Sequence, residues 1–162
     1  MKKLLFALIV AGAAVMTACS SQGGRSTDPA LEAAVKAKIE SGQYRVDVDR
    51  ITPRKGRTFS LTTPYNIRIS RDSIYSYLPY FGESYSPVMG RQDGLIFDGP
   101  ITGYKVTEGK RGAINVEFSA RTFEDRYDYS LSVYPNGTSY LTVSPDRKSS
   151  VSFDGKLRVE DE

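Results

Sequence analysis

From Tyr44 to Val159 apolar residues return at every second position, and most of the segments that show this are joined by connections too short for anything but antiparallel neighbours. Tyr44, Val46 and Val48 alternate with Arg45, Asp47 and Asp49; Tyr65, Ile67 and Ile69 alternate with Asn66, Arg68 and Ser70. Such segments are half-buried strands, apolar on one face and polar on the other. Arg71-Asp72-Ser73 reads as the turn into a returning strand from Ile74 to Leu78. After an irregular stretch the pattern resumes at Leu95 to Asp98 and again at Ile101 to Thr107. Glu108 to Gly112 reads as a hairpin loop leading into Ile114, Val116, Phe118 and Ala120, and Phe123 to Arg126 as a turn into Tyr127, Tyr129, Leu131 and Val133. Asn136-Gly137 is expected to form a two-residue type I′ hairpin before a strand from Tyr140 to Val143. Asp154-Gly155 reads as a second tight hairpin, between Val151-Phe153 and Leu157-Val159.

The chain is therefore expected to be all-β, an antiparallel meander of about nine or ten strands. A sheet so wide curls into a barrel or folds into two layers, which also hides its edges. Sequential short hairpins favour an up-and-down, lipocalin-like barrel over a two-layer sandwich with Greek-key crossings.

Ahead of the strands the period is that of a helix. Asp28 is an N-cap type, Pro29 suits the first turn, and Ala30 to Glu40 are good helix formers that end at Ser41-Gly42. Leu31, Val35 and Ile39 make one narrow apolar stripe, so this short N-terminal helix is expected to lie on the strand domain. Residues 1–18 have the layout of a secretory leader. Lys2 and Lys3 precede an apolar run from Leu4 to Val15, and small residues follow before Cys19. That run is too short to cross a bilayer as a helix. Met16-Thr17-Ala18-Cys19 resembles the lipobox of bacterial lipoproteins, which implies acylation of Cys19 and cleavage before it. Residues 19–27 read as a small, polar, flexible tether, and residues 28–162 as a single β domain with its N-terminal helix.

The 22 basic residues include Lys2 and Lys3, so loss of the leader leaves 20 against 19 acidic ones. A near-neutral chain gives no argument for nucleic acid. With Cys19 acylated there is no thiol left for a disulfide, and the chain has no histidine. That removes Ser-His-Asp and Cys-His catalysis and His-ligated zinc. Neither a metal site nor a cofactor is expected, and the glycines at 23, 24, 103, 109 and 112 form no phosphate loop. Carboxylate-pair chemistry is the remaining catalytic option, with Glu83, Asp93, Asp98, Glu117 and Asp125 as the available groups.

Composition departs from simple alternation between Tyr75 and Pro87, where five aromatics and two prolines make a stiff loop. Tyr77, Tyr80, Phe81 and Tyr85 are the candidate binding residues, because a tyrosine ring offers apolar area together with a hydroxyl. Two roles are open to this loop: a plug that seals the barrel end with Tyr80 and Phe81, or a surface for a ligand or partner.

Tyr44 to Pro53, Gly56 to Tyr65, Asp72-Ser73 with Leu78-Pro79-Tyr80-Phe81-Gly82 and Tyr85, Asp93-Gly94 to Phe97, and Asn136-Gly137 together resemble domain-of-unknown-function family 4251. The resemblance implies a lipoprotein or secreted protein of the Bacteroidetes envelope, with no assigned activity and no functional residues to carry over. The functional expectation is a non-enzymatic binding or structural protein, held by its N-terminal lipid to a membrane and facing the periplasm from the outer membrane. An envelope protein or an apolar small molecule is its expected partner. The alternative is a carboxylate-dependent hydrolase acting on envelope glycans.

Overall fold

The structure, a computed structural model, describes residues 28–81, 94–123 and 125–160. The leader, Cys19 and the tether lie outside the described residues. A helix α1 (Pro29–Ser41) is followed by strands β1 (Gln43–Pro53), β2 (Phe59–Ser60), β3 (Asn66–Ser70), β4 (Ser73–Pro79) and β5 (Gly94–Glu108). A 3-10 turn (Lys110–Gly112) then leads to β6 (Ile114–Arg121), β7 (Arg126–Val133), β8 (Thr138–Pro145) and β9 (Val151–Arg158). Each strand from β3 onward pairs antiparallel with the next, and β1 pairs with β3 on one side and with β9 on the other. Eight strands thus close into an up-and-down barrel, with the two-residue β2 attached to the end of β1. Closure, which leaves no free edge along the ring, decides for the barrel over the sandwich.

Strand parity sets what fills it. Val46, Val48 and Ile51 of β1 point inward with Ile67 and Ile69 of β3, Tyr127, Tyr129, Leu131 and Val133 of β7, and Val151, Phe153 and Leu157 of β9. Eight-stranded barrels are just wide enough for side chains to fill or for one small ligand. Here stacked rings occupy the middle, with Phe118 and Tyr129 centroids 4.8 Å apart and Tyr104 and Phe118 6.2 Å apart.

The helix forms as its caps dictate. Asp28 Oδ1 accepts from the Ala30 amide at 2.9 Å, and Gly42 at φ 65 ends it, donating to the Ile39 carbonyl at 3.1 Å. Val35 and Ile39 are buried and Leu31 is partly so. This stripe seals one pole of the barrel, beside Gly137 and the β3–β4 turn, where the Arg71 amide donates to the Gly42 carbonyl at 2.7 Å. No described helix is long and apolar enough to cross a membrane.

Four sequence expectations are corrected. Leu95–Asp98 and Ile101–Thr107 belong to one fifteen-residue strand, bent where the register shifts between Thr102 and Lys105, with Gly103 at φ 67. The Asn136-Gly137 hairpin is not a two-residue type I′ turn. Gly137 donates to the Tyr134 carbonyl at 2.8 Å, placing Pro135 and Asn136 in the middle of the turn, and Gly137 alone carries a positive φ of 79. Proline cannot adopt the positive φ of a primed turn, so Pro135 moves the left-handed position one residue on. The segment from Tyr75 is not all loop: Tyr75 to Pro79 lie in β4, paired with Gly94 to Asp98.

Asp154-Gly155 is not a hairpin at all. Both residues lie inside β9, and β8 turns into β9 through residues 146–150. Gly155 sits across from a bulge in β1, and a Cβ there would stand 2.1 Å from the Asp47 carbonyl oxygen and 2.9 Å from the Val48 Cα. The glycine permits close approach of two backbones at the closing seam.

Candidate functional site: the aromatic mouth

The pole opposite the helix is where β4 leaves the barrel and β5 enters it. Ser73 to Leu78 alternate, so Ile74, Ser76 and Leu78 point inward while Tyr75 and Tyr77 point outward. Tyr80 continues the inward series past the end of the strand. It is 5% exposed, its hydroxyl donates to the Ser149 carbonyl at 3.1 Å, and the Lys148 ammonium lies 5.0 Å from its ring centroid. Tyr80 is therefore a plug tied to the β8–β9 loop.

Phe81 is not part of that plug. It is 54% exposed, with its ring centroid 6.4 Å from that of Phe59, itself 51% exposed on β2. Tyr77 is half-buried on the outer wall, its ring 5.1 Å from Tyr65. The expected plug pair thus divides: the Tyr80 ring is buried against the core and the Phe81 ring is about half exposed. Tyr85 lies outside the described residues. Phe59 was missed as a site residue because it borders an irregular stretch, and Tyr65 because its alternation with Ile67 and Ile69 marks it as an ordinary strand position.

Inside the barrel the tyrosine hydroxyls have structural partners. Tyr129 donates to Ser76 Oγ at 3.3 Å, and Ser76 Oγ donates to the Leu95 carbonyl at 2.7 Å. The Tyr44 and Tyr104 hydroxyls are 3.2 Å apart. Burial pushes the Tyr44 hydroxyl far above the ordinary tyrosine range, and its contact with Tyr104 adds to that. Burial also raises that of Tyr129, against the smaller opposing effect of the bond to Ser76. Both stay protonated across the physiological range and neither is placed to exchange protons with a substrate.

The described carboxylates of the catalytic option occupy three different settings. Asp98 lies on the outer wall opposite Tyr75, and Glu117 is exposed between Lys105 and Ser130. Asp125 is engaged in the turns at the mouth, accepting from the amides of Arg126 at 2.8 Å and Arg147 at 3.2 Å. Glu83 and Asp93 lie outside the described residues. Among the described residues no three His, Cys, Asp or Glu side chains gather as a metal site would need. A cleft of 450 Å³ runs between α1 and the β5–β6 hairpin, and one of 330 Å³ opens beside the helix C-terminus between Lys38 and Arg158.

A filled, helix-capped, eight-stranded barrel with an aromatic rim defines the class of protein. The chain belongs to the family of the domain of unknown function DUF4251, whose model matches residues 27–157. It is similar in fold to the crystal structure of a DUF4251 family protein from Bacteroides eggerthii DSM 20697. The two are 18% identical, with a TM-score of 0.63 over 80% of this chain and 88% of that one. No curated protein matches.

Proposed function

We propose that the protein is a lipid-anchored envelope component that acts by binding and not by catalysis, using the rim formed by Phe59, Tyr65, Tyr77 and Phe81. The observation that carries this reading is the Phe59–Phe81 pair. Two large rings, each about half exposed, lie tilted with their centroids 6.4 Å apart beside the buried Tyr80. Exposed aromatic clusters of this kind serve as anchors for partners, because burying each ring removes a large apolar area from water. The partner is an envelope protein or an apolar small molecule. The anchor is Cys19, and the protein faces the periplasm from the outer membrane, a reading supported by the leader pattern and by the family. Asp98, Glu117 and Asp125 in their separate settings favour no hydrolase.

The test has two arms. Metabolic labelling with a palmitate analogue in the native host should mark the wild type, and Cys19→Ser should lose the label; equal labelling of the two forms would overturn the anchor. Phe59→Ser with Phe81→Ser should keep the wild-type melting temperature yet lose the partners recovered by crosslinking in envelope membranes. Retention of the same partners would remove the rim as the binding site.

A further inference from the structure

Barrel closure brings together three cations that are far apart in sequence. Arg45 of β1 lies directly opposite Arg158 of β9 on one side and directly opposite Arg68 of β3 on the other. Directly opposed residues share a face of the sheet, so the three guanidinium groups form one row across three adjacent strands. Like charges in that relation destabilise a sheet. Lys38 of α1 lines the same 330 Å³ cleft as the three arginines, with Glu160 the carboxylate in its wall.

Asp47, two residues along β1 on the same face, carries part of the compensation. It pairs with Arg45, and its Oδ2 accepts from Arg158 Nη2 at 2.8 Å and Nε at 3.1 Å. Arg68 is steadied differently, over the Tyr75 ring at 5.2 Å and at 3.4 Å from Asn66 Oδ1. Among the described residues the cleft wall thus gathers three arginines and a lysine around one carboxylate, Glu160, with Asp47 on the strand beside it. Guanidinium groups fixed by neighbours at a partly open cleft suit bidentate recognition of phosphate.

The location selects the source of that phosphate. The cleft is at the helix pole, where α1 runs into β1, and nine residues separate Cys19 from Pro29, the first residue of α1. Nine residues span about 30 Å at full extension, so an acylated Cys19 holds the start of α1 within about that distance of the bilayer. We propose that Arg45, Arg68, Arg158 and Lys38 dock the helix pole onto the phosphate groups of anionic membrane lipids, leaving the aromatic mouth directed away from the membrane. The choice of lipid over another anion rests on the anchor reading at Cys19; the cluster itself does not.

The test is co-sedimentation of the mature chain carrying Cys19→Ser with vesicles of phosphatidylglycerol and phosphatidylethanolamine, and with phosphatidylcholine vesicles for comparison. Having no acyl chain, this protein reports on the cluster whatever the palmitate labelling shows about the anchor. Binding should favour the anionic vesicles and weaken with salt. Arg45→Gln, Arg68→Gln and Arg158→Gln together should lower it by about tenfold or more, since each basic group near such a surface contributes measurably. Arg121→Gln, Arg126→Gln and Arg147→Gln, which remove the same charge at the other pole, should change it little. Asp47→Asn releases two of the guanidinium groups and should strengthen binding, a readout of opposite sign that loss of folding would not mimic. Equal binding to both vesicle types, wild-type binding by the cluster variant, or no gain from Asp47→Asn would overturn the proposal. So would binding of inorganic phosphate without binding of anionic vesicles.

Discussion

The two poles of this barrel are closed by different means. At one, a capped helix lays Val35 and Ile39 across the opening, and its boundaries follow from Asp28, Pro29 and Gly42. At the other, Tyr80 reaches inward from the end of β4, and its hydroxyl donates to the Ser149 carbonyl in the β8–β9 loop. The helix pole is a periodic, local solution in which several side chains share the burial. At the mouth, among the described residues, the buried ring of Tyr80 stands next to Phe81, which is about half exposed. The helix pole carries the arginine row on its outer wall, while the rim of the mouth carries the Phe59–Phe81 contact.

The largest expected effect comes from the seam that both poles share. Gly155→Val would drive a branched side chain into the β1 backbone, where even a Cβ has only 2.1 Å to the Asp47 oxygen. Neither strand has room to retreat without breaking the β1–β9 pairing, so the barrel should fail to close, read as loss of soluble, folded protein by circular dichroism. A cooperative melt near that of wild type would show that the seam tolerates separation.

The poles themselves are compared by two truncations. Tyr80→Ala should cost about 3–5 kcal/mol and Ile39→Ala about 2–5 kcal/mol in urea denaturation, both through lost burial and the cavity left behind. A combination is expected to be additive within a few tenths of a kcal/mol, since the sites lie at opposite ends and share no partner. Strong coupling would mean that the poles are not independent closures.

Between the poles, the buried tyrosines make a pH prediction. Above about pH 10 a tyrosine in the unfolded chain ionises, whereas Tyr44 and Tyr129, raised by burial, remain protonated in the barrel. The unfolded state then binds fewer protons than the folded one, so stability is fully present below pH 10 and falls as pH rises beyond it. Each such tyrosine contributes a slope of about 1.4 kcal/mol per pH unit. Tyr129→Phe should flatten the alkaline limb of a stability-versus-pH curve, and an unchanged limb would place the alkaline loss elsewhere.

The smallest effect is expected at Phe81. Phe81→Ser should shift stability by no more than about 0.5 kcal/mol, as exposed positions do. A cost approaching that of Tyr80→Ala would return Phe81 to the plug and erase the difference between the two residues.

Much of this was legible in the chain. The alternation of Tyr127, Tyr129, Leu131 and Val133 predicts an inward face, and those residues line the core. The helix stripe and its caps were equally plain. All of these are relations between residues within a few positions of one another, and the backbone's 2.0 and 3.6 periods convert them directly into faces. Where two local signals competed, the reading failed. Asp154-Gly155 has the composition of a turn, yet the glycine answers to a backbone 107 positions earlier, at Val48. Asn136-Gly137 has that composition too, and Pro135 shifted the turn by one residue.

What the sequence by itself determined is the helix, the all-β character of the rest, the inward faces of most strands and the antiparallel order of neighbours, because each is decided by short-range geometry. Tertiary structure alone decided the ring closure, the division of labour between Tyr80 and Phe81, the pairing of Phe81 with Phe59, and the alignment of Arg158, Arg45 and Arg68. Those depend on register between distant strands. In a sheet whose side-chain period is two, a shift of one residue turns every side chain to the other face, so no such juxtaposition exists until β1 has found β9.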